Sequence, residues 1–125
     1  MKQVLIVFIG GGLGTVMRFL ISKILPYSGK GFPWSTFCTN MAGCLIIGVL
    51  TGYFLRNSTE NQPEYFLFAT IGFCGGFTTF STFAYENFSL LRYGDYSMIL
   101  IYSILSFISG ILMVYLGIIL ERYFY

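Results

Sequence analysis

A run of glycine, threonine and serine interrupts the third apolar segment of the chain and restricts its possible folds more than any other feature. The segment covers residues 65–91, enough to cross a bilayer, and the run within it is Gly72-Phe-Cys-Gly-Gly-Phe-Thr-Thr-Phe-Ser-Thr-Phe83. Glycine costs backbone entropy in a helix, and β-branched threonine lowers helix propensity. Irregular backbone at membrane depth is tolerated only where protein buries it or water reaches it. The run therefore predicts a broken membrane helix with an ion site at the break, or alternatively an unbroken helix with a small-residue packing face.

The composition of the whole chain indicates a membrane protein. Its 125 residues are 56% hydrophobic and 10% charged, which is more apolar surface than a soluble domain of this size can bury. Four apolar segments are long enough to span a bilayer. They lie at about residues 3–24, 34–55, 65–91 and 96–120, and the break in the third is expected near residues 75–79. The predicted fold is an all-α membrane protein with four transmembrane helices, formed as a single domain over residues 1–125.

Composition also excludes several functions. The chain has no histidine, which rules out histidine-based catalysis, histidine metal ligands and histidine proton relays. Its net charge of +2 is too small and too dispersed for nucleic-acid binding. The three cysteines lie in apolar segments and fit neither a disulfide framework nor a zinc site. No residue has the pattern of a nucleophile beside its base, so we expect no enzymatic activity.

Small and polar residues mark two helix faces. Gly10 and Gly14 in the first segment predict a face that another helix can approach closely. In the uncharged second segment, Asn40 lies on a helical stripe with Thr36 and Gly43. A buried asparagine in a membrane helix either bonds a neighbouring helix or serves a polar pathway. Both interpretations of Asn40 stay open at this point.

Two charged residues, Arg18 and Glu86, fall within apolar segments. The first and third segments run in the same direction, and each charge lies toward the far end of its segment, so the two can share a depth in the membrane. A charge in lipid is costly unless it pairs or faces water. We expect Arg18 and Glu86 to pair; the functional alternative is that Arg18 attracts anions in a vestibule.

The positive charges give no preferred orientation in the membrane. Lysine and arginine are divided almost equally between the two sides, and it is their bias that orients a membrane protein. They are Lys2, Arg56 and Arg122 on the side of the termini, and Lys23, Lys30 and Arg92 on the other, with Arg18 near it. A chain without this bias can insert both ways, which predicts an antiparallel, dual-topology homodimer.

Three motifs resemble the fluoride channels called Fluc or CrcB. They are Gly11-Gly-Leu-Gly-Thr-Val-Met-Arg18, Thr36-Phe-Cys-Thr-Asn-Met-Ala-Gly43 and Gly75-Gly-Phe-Thr-Thr-Phe-Ser-Thr-Phe83. The resemblance extends over the whole chain in length, number of segments and order of motifs, and the third motif is highly specific.

The resemblance implies an antiparallel homodimer with two fluoride pores and a structural sodium ion at its centre. Pore phenylalanines of the family fall on Phe80 and Phe83, and its pore asparagine falls on Asn40. Its sodium-coordinating backbone positions fall on Gly75 and Thr78. The chain departs from the family in having glycine at position 110, where a pore-side hydroxyl is expected.

The chemistry of the residues agrees with an anion pathway. A fluoride ion that loses its hydration needs replacement contacts, which positive ring edges and amide N–H groups can supply. Hydroxyls of Ser81, Thr82, Tyr102 and Ser106 could complete a polar track.

The expected function is passive export of cytoplasmic fluoride across a bacterial inner membrane, which would reduce fluoride toxicity. The alternative is a small dual-topology, proton-coupled multidrug exporter, which needs an acidic residue deep in the first helix that this chain lacks. A scaffold protein without transport activity would not require the broken third segment.

Overall fold

Among the residues that the structure describes, four helical segments are long and apolar enough to cross a membrane. A computed structural model describes residues 1–57 and 63–124, and within them it contains no β-strand. The segments are α1 (Lys2–Ile24), α2 (Trp34–Asn57), a third span (Glu64–Arg92) and α6 (Tyr96–Phe124). Each begins within one residue of its predicted start, while the last helix continues four residues beyond its predicted end. The protein is therefore a multi-pass membrane protein.

The third span is bent and consists of four pieces. They are α3 (Glu64–Leu67), a π-helix (Phe68–Cys74), α4 (Gly75–Phe77) and α5 (Phe80–Arg92). The break predicted near residues 75–79 is confined to Thr78 and Thr79, because Gly75 to Phe77 stay helical. The π-helix was not predicted from the sequence.

Local signals end α5 and start α6. Gly94 follows α5 with a φ of 73°, a left-handed conformation that glycine adopts without strain. Its amide donates to the carbonyl of Leu91 at 3.0 Å. Asp95 Oδ1 then accepts from the amide of Met98 at 3.1 Å, which caps the first turn of α6. The two helices are therefore joined by a tight turn.

Glycines bring α1 and the first half of the third span into backbone contact. A methyl group placed on Gly14 would overlap the carbonyl oxygen of Phe73, and one on Gly10 would overlap that of Phe68. From the other side, a methyl group on Gly76 would overlap the carbonyl oxygen of Gly11. We call this contact the glycine seam. It confirms the close-approach face predicted at Gly10 and Gly14.

A second glycine contact joins α2 and α6, which make the most extensive helix contact in the described chain. A methyl group on Gly48 would overlap the carbonyl oxygen of Val114, and one on Gly117 would overlap that of Leu45. The four segments thus form two closely packed pairs, α1 with α3 to α4 and α2 with α6. The broken part of the third span lies where these pairs meet.

Candidate functional site: a helix break between two cavities

Within the third span, the backbone leaves the helical conformation at two residues. Thr78 has φ −83° and ψ 159°, and Thr79 has φ −154° and ψ 119°, so both are extended. Thr79 is also the N-cap of α5, since its Oγ1 accepts from the amide of Thr82 at 3.2 Å. A threonine that bonds the third amide ahead is a common helix start. The Thr-Phe-Ser-Thr sequence therefore begins a new helix as soon as α4 ends.

Asn40 on α2 bonds the broken backbone at two points. Its Oδ1 accepts from the amide of Thr79 at 2.9 Å, and its Nδ2 donates to the carbonyl oxygen of Thr79 at 3.3 Å. Backbone groups inside a membrane need such partners because no lipid atom can replace them. Asn40 therefore stabilises the break. Its position in the sequence did not predict that it would bond the backbone of Thr79.

The same bonds leave two carbonyl groups without their helical donors. In a continuous helix the amide of Thr79 would donate to Gly75, and that of Thr82 would donate to Thr78. Here the first amide donates to Asn40 and the second to the side chain of Thr79. The carbonyls released in this way belong to Gly75 and Thr78, the two residues that the family resemblance assigns to a sodium ion.

A cavity of about 460 Å³, which we call the groove, opens between α2, the third span and α6. Among its lining residues are six of the predicted site residues: Asn40, Gly75, Thr78, Phe80, Phe83 and Ser106. Ser106 Oγ is buried and has no hydrogen-bond partner within the described residues. The groove thus presents a hydroxyl that can still donate to an acceptor.

The two predicted pore phenylalanines are neighbours in the groove. The ring centroids of Phe80 and Phe83 are 5.9 Å apart and their planes are inclined by 36°. Phe80 is 80% exposed, so it makes little packing contact within this chain. Phe83 also lies against Tyr102, with 4.9 Å between ring centroids.

A second cavity of about 280 Å³ lies on the other side of the break, and we call it the Arg18 cavity. Its lining is rich in hydroxyl groups. These come from Thr15, Ser22, Ser35, Thr36, Thr39, Thr79 and Thr82. Arg18 lines it as well, and its buried Nε has no hydrogen-bond partner in the described part of the chain. Thr79 lines both cavities, so the break is the wall between them.

Glu86 is buried and bonded by two hydroxyl groups. Thr36 Oγ1 donates to Oε1 at 2.6 Å, and Tyr102 Oη donates to Oε2 at 2.7 Å. The expected pairing of Arg18 with Glu86 is wrong, because no ion pair joins them among the residues that the structure describes. Helix α5 turns Glu86 toward α2 and α6, where hydroxyl donors replace the guanidinium.

The other predicted hydroxyls are distributed over different surroundings. Thr82 lines the Arg18 cavity, and Ser81 lies on the exposed side of α5 with its Oγ 3.2 Å from Thr79 Oγ1. Tyr102 is fully buried and lines neither cavity. Sequence reasoning did not single out Thr79 as a site residue, although it borders both cavities. The available signal was the preference for threonine at a helix N-cap.

Comparison with known proteins matches the sequence of this chain to one family. The family described as "CrcB-like protein, Camphor Resistance (CrcB)" matches residues 5–118. The protein from Azobacteroides pseudotrichonymphae called "Fluoride-specific ion channel FluC" is 42% identical over 125 residues, 99% of each chain. A protein of the same name from Phocaeicola vulgatus is 45% identical over 94% of this chain and 97% of its own. Another from Pyrococcus abyssi is 43% identical over 98% of each chain. The chain, with its broken third span and the two cavities beside it, belongs to the CrcB family.

Proposed function

We propose that this protein is a fluoride-selective channel that lets cytoplasmic fluoride leave the cell passively. The names of its full-length relatives support this function. The observation that carries it is that each cavity contains a buried donor with no partner in the described residues, Arg18 Nε in one and Ser106 Oγ in the other. Buried donors are costly when unpaired, so both favour an acceptor such as a small anion.

In this proposal fluoride passes from the Arg18 cavity to the groove by way of Thr79. The Arg18 charge and the surrounding hydroxyls attract and partly dehydrate the anion. In the groove, the ring edges of Phe80 and Phe83 and the hydroxyl of Ser106 replace its lost water. Two cavities separated by one residue favour a stepwise passage in which the anion is never without a polar neighbour.

The direction of transport follows from the membrane potential. Fluoride enters cells as the neutral acid and ionises in a less acidic cytoplasm. An inside-negative potential then favours exit of the anion by about 2.3 kcal/mol per 100 mV. An open pathway needs no further energy source, so no proton-coupling carboxylate is required.

The functional unit is an antiparallel homodimer. Phe80 is 80% exposed although it lines the groove, and a methyl group placed on Gly75 would meet no atom within 4 Å. A second copy can cover this surface and close the groove into a pore. The balanced distribution of lysine and arginine favours a copy of opposite orientation.

A structural sodium ion fits the centre of such a dimer. Gly75 and Thr78 both line the groove, and both carbonyls have lost their helical donors. Two copies would supply four carbonyl oxygens without a carboxylate, which favours a hard monovalent cation over a divalent one. The ion would satisfy the broken backbone and remain in place while fluoride crosses.

Fluoride efflux from liposomes that contain only this protein tests the proposed function. The wild type should release fluoride rapidly, while Phe80→Ile and Phe83→Ile should abolish efflux and still elute as the wild-type dimer. Such swaps roughly preserve volume and usually cost less than about 1.5 kcal/mol. Phe88→Ile, also exposed on α5 but outside the groove, is the control and should conduct normally. Normal efflux from both groove variants would contradict the pathway.

Two further measurements address the dimer and the ion. A tag at the C-terminus should be accessible from both sides of the membrane in an active preparation, and labelling from one side alone would refute the antiparallel arrangement. Rigorous removal of sodium, with no substitute cation, should abolish efflux and weaken the dimer. Full activity without sodium would show that the released carbonyls do not bind it.

A further inference from the structure

A phenylalanine from the loop between α1 and α2 packs against the aromatic residues of the site. The Phe32 ring lies 5.3 Å from the Tyr102 ring, centroid to centroid, with planes inclined by 76°, an edge contact. Tyr102 in turn lies 4.9 Å from Phe83 of the groove. The Tyr102 ring thus lies between Phe32 and Phe83, a residue of the proposed anion pathway. Phe32 itself lines neither cavity.

The loop that carries Phe32 is fixed at several points. Its backbone turns through two left-handed glycines, Gly29 with φ 85° and Gly31 with φ 74°. A methyl group on Gly29 would lie 3.5 Å from Ser89 Oγ, so the loop touches α5 there. Lys30 Nζ lies 5.1 Å from the centroid of the Tyr93 ring. These contacts hold the loop on the end of α5, which gives Phe32 a defined position.

Tyr102 connects the two sides of the break. Its hydroxyl donates to Glu86, which also accepts from Thr36 of the Arg18 cavity. Its ring contacts Phe83 of the groove. The orientation of a fully buried ring depends on the rings packed against it. Edge contacts between aromatic rings restrain the orientation of both partners. Phe32 supplies such a contact from outside the membrane spans.

We infer that Phe32 is a positioning residue for the anion pathway. It holds the ring of Tyr102, and through it the ring of Phe83, in the orientation that the two rings have beside the groove. The inference rests on the proposed channel function. Phe32 itself makes no contact with the anion; it acts on fluoride transport only through the two rings.

Replacing the ring while keeping an apolar side chain tests this role. Phe32→Leu should fold as the wild type does but release fluoride from liposomes about two- to tenfold more slowly, the factor that corresponds to the loss of its edge contact with Tyr102. Phe32→Tyr keeps the ring and should restore the wild-type rate. Phe32→Met, with a flexible side chain that fills irregular space, replaces the leucine variant if that variant does not fold.

Phe37→Leu is the matched control. Phe37 also contacts Phe32, with ring centroids 5.2 Å apart, but among the described ring contacts Tyr102 is joined to Phe32 and Phe83 and not to Phe37. If the cluster contributed only to stability, Phe37→Leu and Phe32→Leu would lower the melting temperature alike and leave efflux unchanged. Wild-type efflux from Phe32→Leu or Phe32→Met would overturn the positioning role alone. Absence of efflux from the wild type would overturn the channel function, and this inference with it.

Discussion

Along the glycine seam two helices touch backbone to backbone, whereas another face of the same stretch of the third span borders a cavity of about 460 Å³. In the seam, Gly14 leaves no room for a single methyl group. In the groove, Gly75 faces open space, and Ser106 has a buried hydroxyl without a partner in the described chain.

The difference shows how a small membrane protein can hold an irregular backbone. The seam fixes the first half of the third span against α1 through contacts that permit no sliding. The break begins immediately after this fixed piece and is bonded by Asn40 from the opposite side. Rigid packing on one side therefore allows polar groups and open space on the other.

The largest loss of stability should come from adding a methyl group to the glycine seam. Gly14→Ala places a methyl group on the carbonyl oxygen of Phe73, so α1 must move away from the third span. Overpacking usually costs about 1–3 kcal/mol, and a clash with backbone belongs at the upper end. Denaturation with SDS should show this loss in the free energy of unfolding, together with loss of the proposed dimer.

Gly12→Ala makes the same change on the same helix where nothing lies within 4 Å. It should leave stability unchanged or raise it by up to about 1 kcal/mol, because alanine is the better helix former. Equal destabilisation by the two variants would mean that the seam is not a close contact.

A smaller loss of stability, but a complete loss of flux, is expected on the groove side. Asn40→Asp keeps an acceptor for the Thr79 amide but removes the donor to the Thr79 carbonyl. The unpaired carbonyl should cost about 1–3 kcal/mol, and the added negative charge should repel fluoride. Liposome efflux should be abolished in protein that still elutes at the position of the wild type.

Asn57→Asp, on the same helix but exposed and outside both cavities, is the control. Its efflux should match that of the wild type. Retained efflux from Asn40→Asp would show that neither the amide nor its bonds to the break are needed for transport.

Glu86→Gln should have a moderate effect. The carboxylate accepts two hydroxyl bonds, and a glutamine can accept only one of them in the same way. Bonds to charged groups contribute about 1.5–3 kcal/mol and neutral ones about 0.5–1.5, so we expect a loss of about 1–2 kcal/mol in SDS denaturation. An unchanged free energy of unfolding would mean that the charge of Glu86 adds nothing to these bonds.

The smallest effect is expected at the outer end of the seam. Lys2 Nζ and Glu64 Oε1 are 2.8 Å apart, but the two side chains are 75% and 51% exposed. Exposed ion pairs contribute about 0–1 kcal/mol. Glu64→Gln should therefore change neither efflux nor stability beyond this range, and a larger loss would show that the pair helps to hold the seam.

The sequence predicted the parts of this structure that depend on local composition. Apolar segment length located the four spans, and the glycine spacing in α1 located the seam. The threonines and glycines of the third segment located the break. They did not predict that only Thr78 and Thr79 leave the helix. How far a weak helix unwinds depends on which neighbours bond its backbone, and that is set by tertiary contacts.

Partners distant in sequence could not be predicted. Glu86 was expected to pair with Arg18 because opposite charges at one depth attract, yet Thr36 and Tyr102 bond it instead. The outcome depends on the rotation of α5 about its axis, which the apolar pattern does not determine. The contact of Phe32 with Tyr102 likewise depends on the path of a loop.

The two-point bond between Asn40 and Thr79 also bears on the order of folding. The side-chain amide of Asn40 both donates to and accepts from the backbone of one residue. A backbone residue of a neighbouring antiparallel strand makes the same pair of hydrogen bonds. Until α2 lies beside the third span, an open break would leave the Thr79 amide and carbonyl without such a partner, which is costly in lipid. We therefore expect the newly inserted span to be a continuous helix that opens only when it docks. The break would then form late in assembly, once Asn40 can bond Thr79.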